Sequence, residues 1–76
     1  MDHPIYLLRK TLGLTQARFG REVGVSESRI CQIERGHGRL KDEHLMALVE
    51  KYRVEMARLG LSVGDFLRQQ DRDSAA

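Results

Sequence analysis

The chain has 76 residues, 41% hydrophobic and 32% charged, with a formal net charge of +2. That length holds one small domain, and a domain this small gains from a partner subunit. A single cysteine, Cys31, excludes an internal disulfide and a thiolate metal cluster and suits a reducing cytoplasm. The apolar runs are far below the ~20 residues of a bilayer span. The opening MDHPIYLLRK has no basic region ahead of an apolar stretch, so no signal peptide is expected.

The first helix is expected to open at Pro4, with Asp2 or His3 as its cap. Ile5, Leu8 and Leu12 form its apolar stripe, and Gly13 stops it. Thr15 caps a second helix that turns Phe19 and Val23 inward and ends at Gly24. Gly20 costs about 1 kcal/mol against alanine in mid-helix, which places it where two helices approach closely. After Gly24-Val25, Ser26 caps a third helix carrying Ile30 and Ile33 and stopping at Gly36.

The segment Gly36-His37-Gly38-Arg39 reads as a loop. Leu45, Leu48, Val49, Tyr52, Met56 and Leu59 then keep to one face for about five turns up to Gly60. Ser62 caps a last helix with Val63, Phe66 and Leu67, and Asp65 supplies a short capping box. No β-branched alternation occurs. The expectation is an all-α fold of five helices in one domain over residues 1–70, with a disordered polar tail over 71–76.

Charge is uneven along this order. Residues 1–40 carry seven Lys/Arg and four Asp/Glu (+3), and residues 41–76 carry six and seven (−1), which sum to +2. A positive first half suits a polyanion and a near-neutral second half suits a neutral partner. At 100° per residue, Ser28, Gln32 and Arg35 fall within about 60° of one another on the third helix. Ile30, Ile33 and Glu34 fall on the opposite side. Short hydrogen-bonding side chains on the outer arc suit base edges better than a protein groove, which would want apolar anchors.

The second helix, the tight turn Gly24-Val25-Ser26 and the third helix have helix-turn-helix spacing, with a core over 15–36. Together with Leu14-Thr15-Gln16 and Ile33-Glu34-Arg35-Gly36, they make the stretch from Leu8 to Tyr52, 45 of 76 residues, resemble the phage repressor and Cro family, the XRE-like helix-turn-helix regulators. The resemblance implies a lambda-repressor-like DNA-binding domain whose third helix enters the major groove, as a homodimer on a near-palindromic operator. Three features depart from the family pattern. Gly20 stands where alanine is usual, Leu40-Lys41 replaces a Pro-Ser pair, and the fourth helix is longer by about two turns.

Gln32 is the strongest base reader, because its amide can pair bidentately with adenine N6 and N7. Ser28 lies one turn earlier and allows close approach. Glu27 can accept from cytosine N4, and its charge equally suits the helix N-terminus. Arg29 flanks the strip and can reach guanine or a phosphate. Gln16 matches the family's phosphate-contacting glutamine, and Thr15 and Ser26 are caps first and phosphate contacts second. Arg35, Arg39 and Lys41 form a second cluster for phosphates.

Glu34 faces inward, and the resemblance implies an ion pair with Arg9 that is structural. Cys31 reads as a small packing residue, since nothing supplies a lowered pKa or a resolving thiol. His3, His37 and His44 lack zinc-ligand spacing, and no metal or cofactor is expected.

These readings converge on a non-enzymatic transcriptional regulator, a repressor or autoregulator, that is cytoplasmic, nucleoid-associated when bound to double-stranded DNA, and not membrane-bound. Residues 54–70 are the expected dimerisation region, through Met56, Leu59, Leu61, Val63, Phe66 and Leu67; packing of the last helix on the first is the alternative use of these side chains. The other functional reading is an antitoxin-type or adaptor protein whose fourth and fifth helices bind a protein partner.

Overall fold

The structure, a computed structural model, describes the backbone of residues 3–75 and the side chains of residues 3–69. The helices are α1 (Pro4–Leu12), α2 (Gln16–Val23), α3 (Glu27–Glu34), α4 (Asp42–Lys51), α5 (Arg53–Leu59) and α6 (Val63–Ala75), and no strand occurs among the described residues. The fold is therefore all-α.

Local chemistry accounts for most of the boundaries. His3 caps α1 by accepting the Ile5 N–H at its Nδ1, 3.1 Å away, while Asp2 lies outside the described residues. Thr15 and Ser26 cap α2 and α3 in the same manner, accepting from the Arg18 and Arg29 amides at 3.1 Å each. These bonds satisfy donors that have no partner inside a helix. Gly13, Gly24 and Gly60 end α1, α2 and α5 in the left-handed region, where a Cβ is costly. At α6 the Ser62 N–H donates to the Asp65 carboxylate at 2.7 Å.

Two elements differ from the expectation. The long fourth helix is divided at Tyr52, whose φ of −115° and ψ of 30° leave the helical region, so the structure has six helices. No glycine or proline marks the break; it falls where Tyr52 stacks on Phe19, with ring centroids 6.0 Å apart. The last helix runs on to Ala75, through most of the segment read as a disordered tail. Nothing in Gln-Gln-Asp-Arg-Asp-Ser breaks a helix, since glycine and proline are both missing from it. Ala76 lies outside the described residues.

The core is formed by Ile5, Leu8, Phe19, Val23, Ile30, Ile33, Leu40, Leu45, Leu48, Tyr52, Met56 and Phe66. It draws on every helix and on the loop residue Leu40. α2 and α3 pack closely together, α1 bridges α3, α5 and α6, and α4 lies against α2. The joint between α2 and α3 depends on Gly20, for a Cβ there would stand 2.3 Å from the Val25 carbonyl oxygen. The same carbonyl belongs to the residue whose N–H donates to Gly20 O at 2.8 Å. The close approach is thus between α2 and the turn that follows it, and not between two helices as the spacing suggested.

Candidate nucleic-acid interface

The third helix divides cleanly between inside and outside. Ile30 and Ile33 have no exposed surface, and they lock α3 onto the core. Glu27, Ser28, Arg29, Gln32 and Arg35 are all exposed. Ser28, Gln32 and Arg35 lie one above the next on the outer arc, since side chains three and four residues apart share a helix face. The strip stands clear of the chain's own side chains.

Beneath it, one ion pair ties α1 to the end of α3. Arg9 Nε and Nη2 donate to Glu34 Oε2 and Oε1 at 2.7 and 3.0 Å. Both side chains are almost covered, 11% and 7% exposed, so the fork-to-fork geometry is held in a poorly solvated place. Arg9 Nη1 also donates to the Leu14 carbonyl at 3.0 Å, and its guanidinium stacks over Tyr6. The hydrogen bond to Glu34 raises the Arg9 pKa further above its already high ordinary value. Arg9 therefore carries a fixed positive charge.

Gln16 is half-buried, and its amide Nε2 donates to Glu34 Oε1 at 3.1 Å. One of its two amide hydrogens is thereby used inside the protein, which leaves the other hydrogen for a phosphate. Thr15 and Ser26 have spent an oxygen lone pair on their caps but keep a hydroxyl hydrogen to donate. Arg35 sits at the end of α3, and exposed Arg39 and Lys41 follow in the loop leading to α4.

Arg29 bends toward that loop: its Nη1 lies 3.7 Å from where a Cβ on Gly38 would stand. It joins Arg39 and Lys41 around one concavity that His44 also lines. The sequence pattern gave no reason to group His44 with them, because its neighbour across the gap, Gly24, lies on another element. His37 is exposed in the loop and Cys31 is half-buried on α3. No cluster of metal-binding side chains occurs among the described residues.

The six residues expected at a dimer interface are divided by burial. Met56 and Phe66 are only 4% and 1% exposed and belong to the protomer's own core, because the breadth of the apolar face on α5 and α6 is met by α1. That removes them from any outer surface. Leu59 and Leu67 remain exposed at 37% and 42%, and Leu61 and Val63 are half-buried.

A model of the helix-turn-helix family matches residues 5–59. The chain belongs to this family. The match covers α1 through α5, so the helix-turn-helix unit, the Arg9–Glu34 tie and the loop cluster all lie inside it. No curated protein and no solved structure matches the chain. This helix-turn-helix domain is of the XRE-like, DNA-binding, transcription-regulating kind, a regulatory family and not an enzyme family. No helix among the described residues is long and apolar enough to cross a membrane.

Proposed function

We propose that the protein is a sequence-specific transcriptional regulator, a repressor or autoregulator, that sets α3 into the major groove of a near-palindromic operator as a homodimer. The observation that carries this reading is the exposed strip Ser28, Gln32 and Arg35 mounted on the fully buried Ile30 and Ile33. A rigid helix with hydrogen-bonding tips is what base-edge readout requires. Gln32 and Ser28 read bases, with Glu27 at the start of the helix. Gln16, Thr15, Ser26, Arg35, Arg39 and Lys41 position the backbone, and the bend of Arg29 toward the loop favours a phosphate for it as well.

Two copies would set their third helices about 34–36 Å apart, one turn of the duplex. Exposed Leu59 and Leu67, with half-buried Leu61 and Val63, are the apolar surface offered to the second copy. The same surface also suits the antitoxin-type or adaptor reading. Selecting bound sequences from a random DNA pool tests the proposal. A two-fold symmetric consensus supports a dimeric sequence reader, whereas recovery of no consensus ends that reading. Sedimentation of the protein with the selected duplex reports the subunit count, and a lone protomer on the site removes the homodimer.

A further inference from the structure

Between the helix-turn-helix turn and the start of α4 lies a cavity of about 180 Å³ lined by Ser26, Arg29, Arg39, Leu40, Lys41 and His44, with Gly24 and Val25 at its edge. Pockets for drug-sized ligands begin at about 300 Å³, so this one suits a single small group. Its lining decides which. Arg29 comes from α3, Arg39 and Lys41 from the loop and His44 from α4, and no carboxylate lines it among the described residues. The carboxylates of α4's first turn, Asp42 and Glu43, are exposed and are not among the lining. On α2, the helix packed against α4, Arg21 is exposed and Glu22 is engaged by Arg18 and Lys51, the latter at the far end of α4. Leu40 forms an apolar floor, only 1% exposed.

The His44 ring closes the side facing the turn, with Cδ2 and Nε2 3.6 and 3.7 Å from the Cβ position of Gly24. A Cβ at Gly24 would rest in ordinary contact with the ring edge, and the φ of 82° there favours glycine. Histidine is the one side chain whose ordinary titration falls in the physiological range, and a protonated imidazole donates from both nitrogens. A phosphate seated beside the ring would favour that protonated form.

We propose that this cavity seats one backbone phosphate of DNA and that His44 takes up a proton with it, so that affinity for duplex rises as pH falls. The inference rests on the DNA-binding reading above and adds a proton to it. The cavity opens beside the exposed base-reading strip, sharing α3 through Arg29, so a phosphate flanking the reading site is the group in reach. A phosphate contact is independent of sequence, so the test can use a mixed-sequence duplex of about three helical turns.

Fluorescence anisotropy at matched ionic strength should show wild type binding roughly two- to fivefold tighter near pH 6 than near pH 8. H44Q loses that difference and H37Q, altered in the exposed loop, keeps it; circular dichroism at both pH values checks that each variant is folded. Calorimetry of wild type in two buffers of different ionisation enthalpy reads the proton uptake without any substitution. A flat wild-type profile, an H44Q profile with the wild-type slope, or zero uptake overturns the proton-linked site while DNA binding stands. Loss of binding at both pH values overturns both. If the His44 ring signals respond to inorganic phosphate while the duplex profile is flat, the cavity belongs to a free phosphate and the backbone assignment falls.

Discussion

Arg9 and Glu34 stand 25 residues apart in the chain and meet through two hydrogen bonds of 2.7 and 3.0 Å. The pair joins the first helix to the end of the reading helix, and Gln16 at the head of α2 leans on the same carboxylate at 3.1 Å. One acidic group therefore gathers α1, α2 and α3. Its removal strands a guanidinium that is 11% exposed. Glu34→Gln is expected to lower unfolding stability by about 3–5 kcal/mol, read from urea denaturation at neutral pH. A variant that unfolds at the wild-type midpoint would show that the pair holds nothing together.

Gly20 and Gly64 should respond in opposite directions to the same added methyl group. Alanine usually stabilises a helix by up to about 1 kcal/mol over glycine. At Gly20 the methyl would stand 2.3 Å from the Val25 carbonyl, a backbone atom that cannot step aside, and we expect a loss of about 2 kcal/mol. At Gly64 it meets only the Arg68 guanidinium and the Ser62 hydroxyl, at 3.4 and 3.5 Å, which is ordinary van der Waals contact. Gly64→Ala is expected to gain about 0.5 kcal/mol. Thermal melts of the two variants check the contrast.

The start of α6 should be sensitive to acid. The Ser62 N–H holds the Asp65 carboxyl below its ordinary value of 3.8, with the Ser62 hydroxyl and Arg68 adding to the effect. A carboxyl lowered on folding contributes stability above its unfolded pKa and loses it as pH falls through the folded one. Asp65→Ala should therefore melt below wild type at neutral pH. The gap should narrow as pH drops past the ordinary value and close beneath the lowered one. A gap that is constant across the acid range would reject the electrostatic cause.

Base-reading and phosphate-holding residues should separate in their salt dependence. Gln32→Ala is expected to cost about 1–3 kcal/mol per half-site of the selected operator and relax preference at one base pair in each, with the salt slope unchanged. Arg35→Ala removes one contact from each protomer of the dimer, so it should weaken all duplexes alike and lessen the slope of log affinity against log salt by about 2. For a dimer holding roughly six phosphates the full slope is near −5. Titrations at several salt concentrations with both variants distinguish the two roles.

What could be read from the residues alone was what is decided within a few positions. Thr15, Ser26, Gly13, Gly24 and Gly60 mark helix ends because their hydrogen bonds and backbone angles are local. The division of α3 into buried Ile30 and Ile33 and exposed Ser28, Gln32 and Arg35 follows from helical spacing.

Periodicity shows that a face is apolar and not what covers it, so Met56 and Phe66 looked available for a second copy although α1 already meets that face. The break at Tyr52 was equally hidden, since the stripe continues in register on both sides of it. Arg29 bending over Gly38 and His44 facing Gly24 depend on which elements become neighbours. So does the half-use of Gln16 by Glu34, a contact across 18 residues.

The packing of Gly20 against Val25 has a bearing on how such a domain can adapt to different targets. With backbone resting on backbone at that corner, α3 has little freedom to pivot away from α2. Adjustment to an imperfect half-site must then come from elsewhere: from rotation of whole protomers relative to each other, or from curvature and twist imposed on the double helix. Imperfect half-sites would thus be ranked partly by how cheaply they deform, including at base pairs no side chain touches.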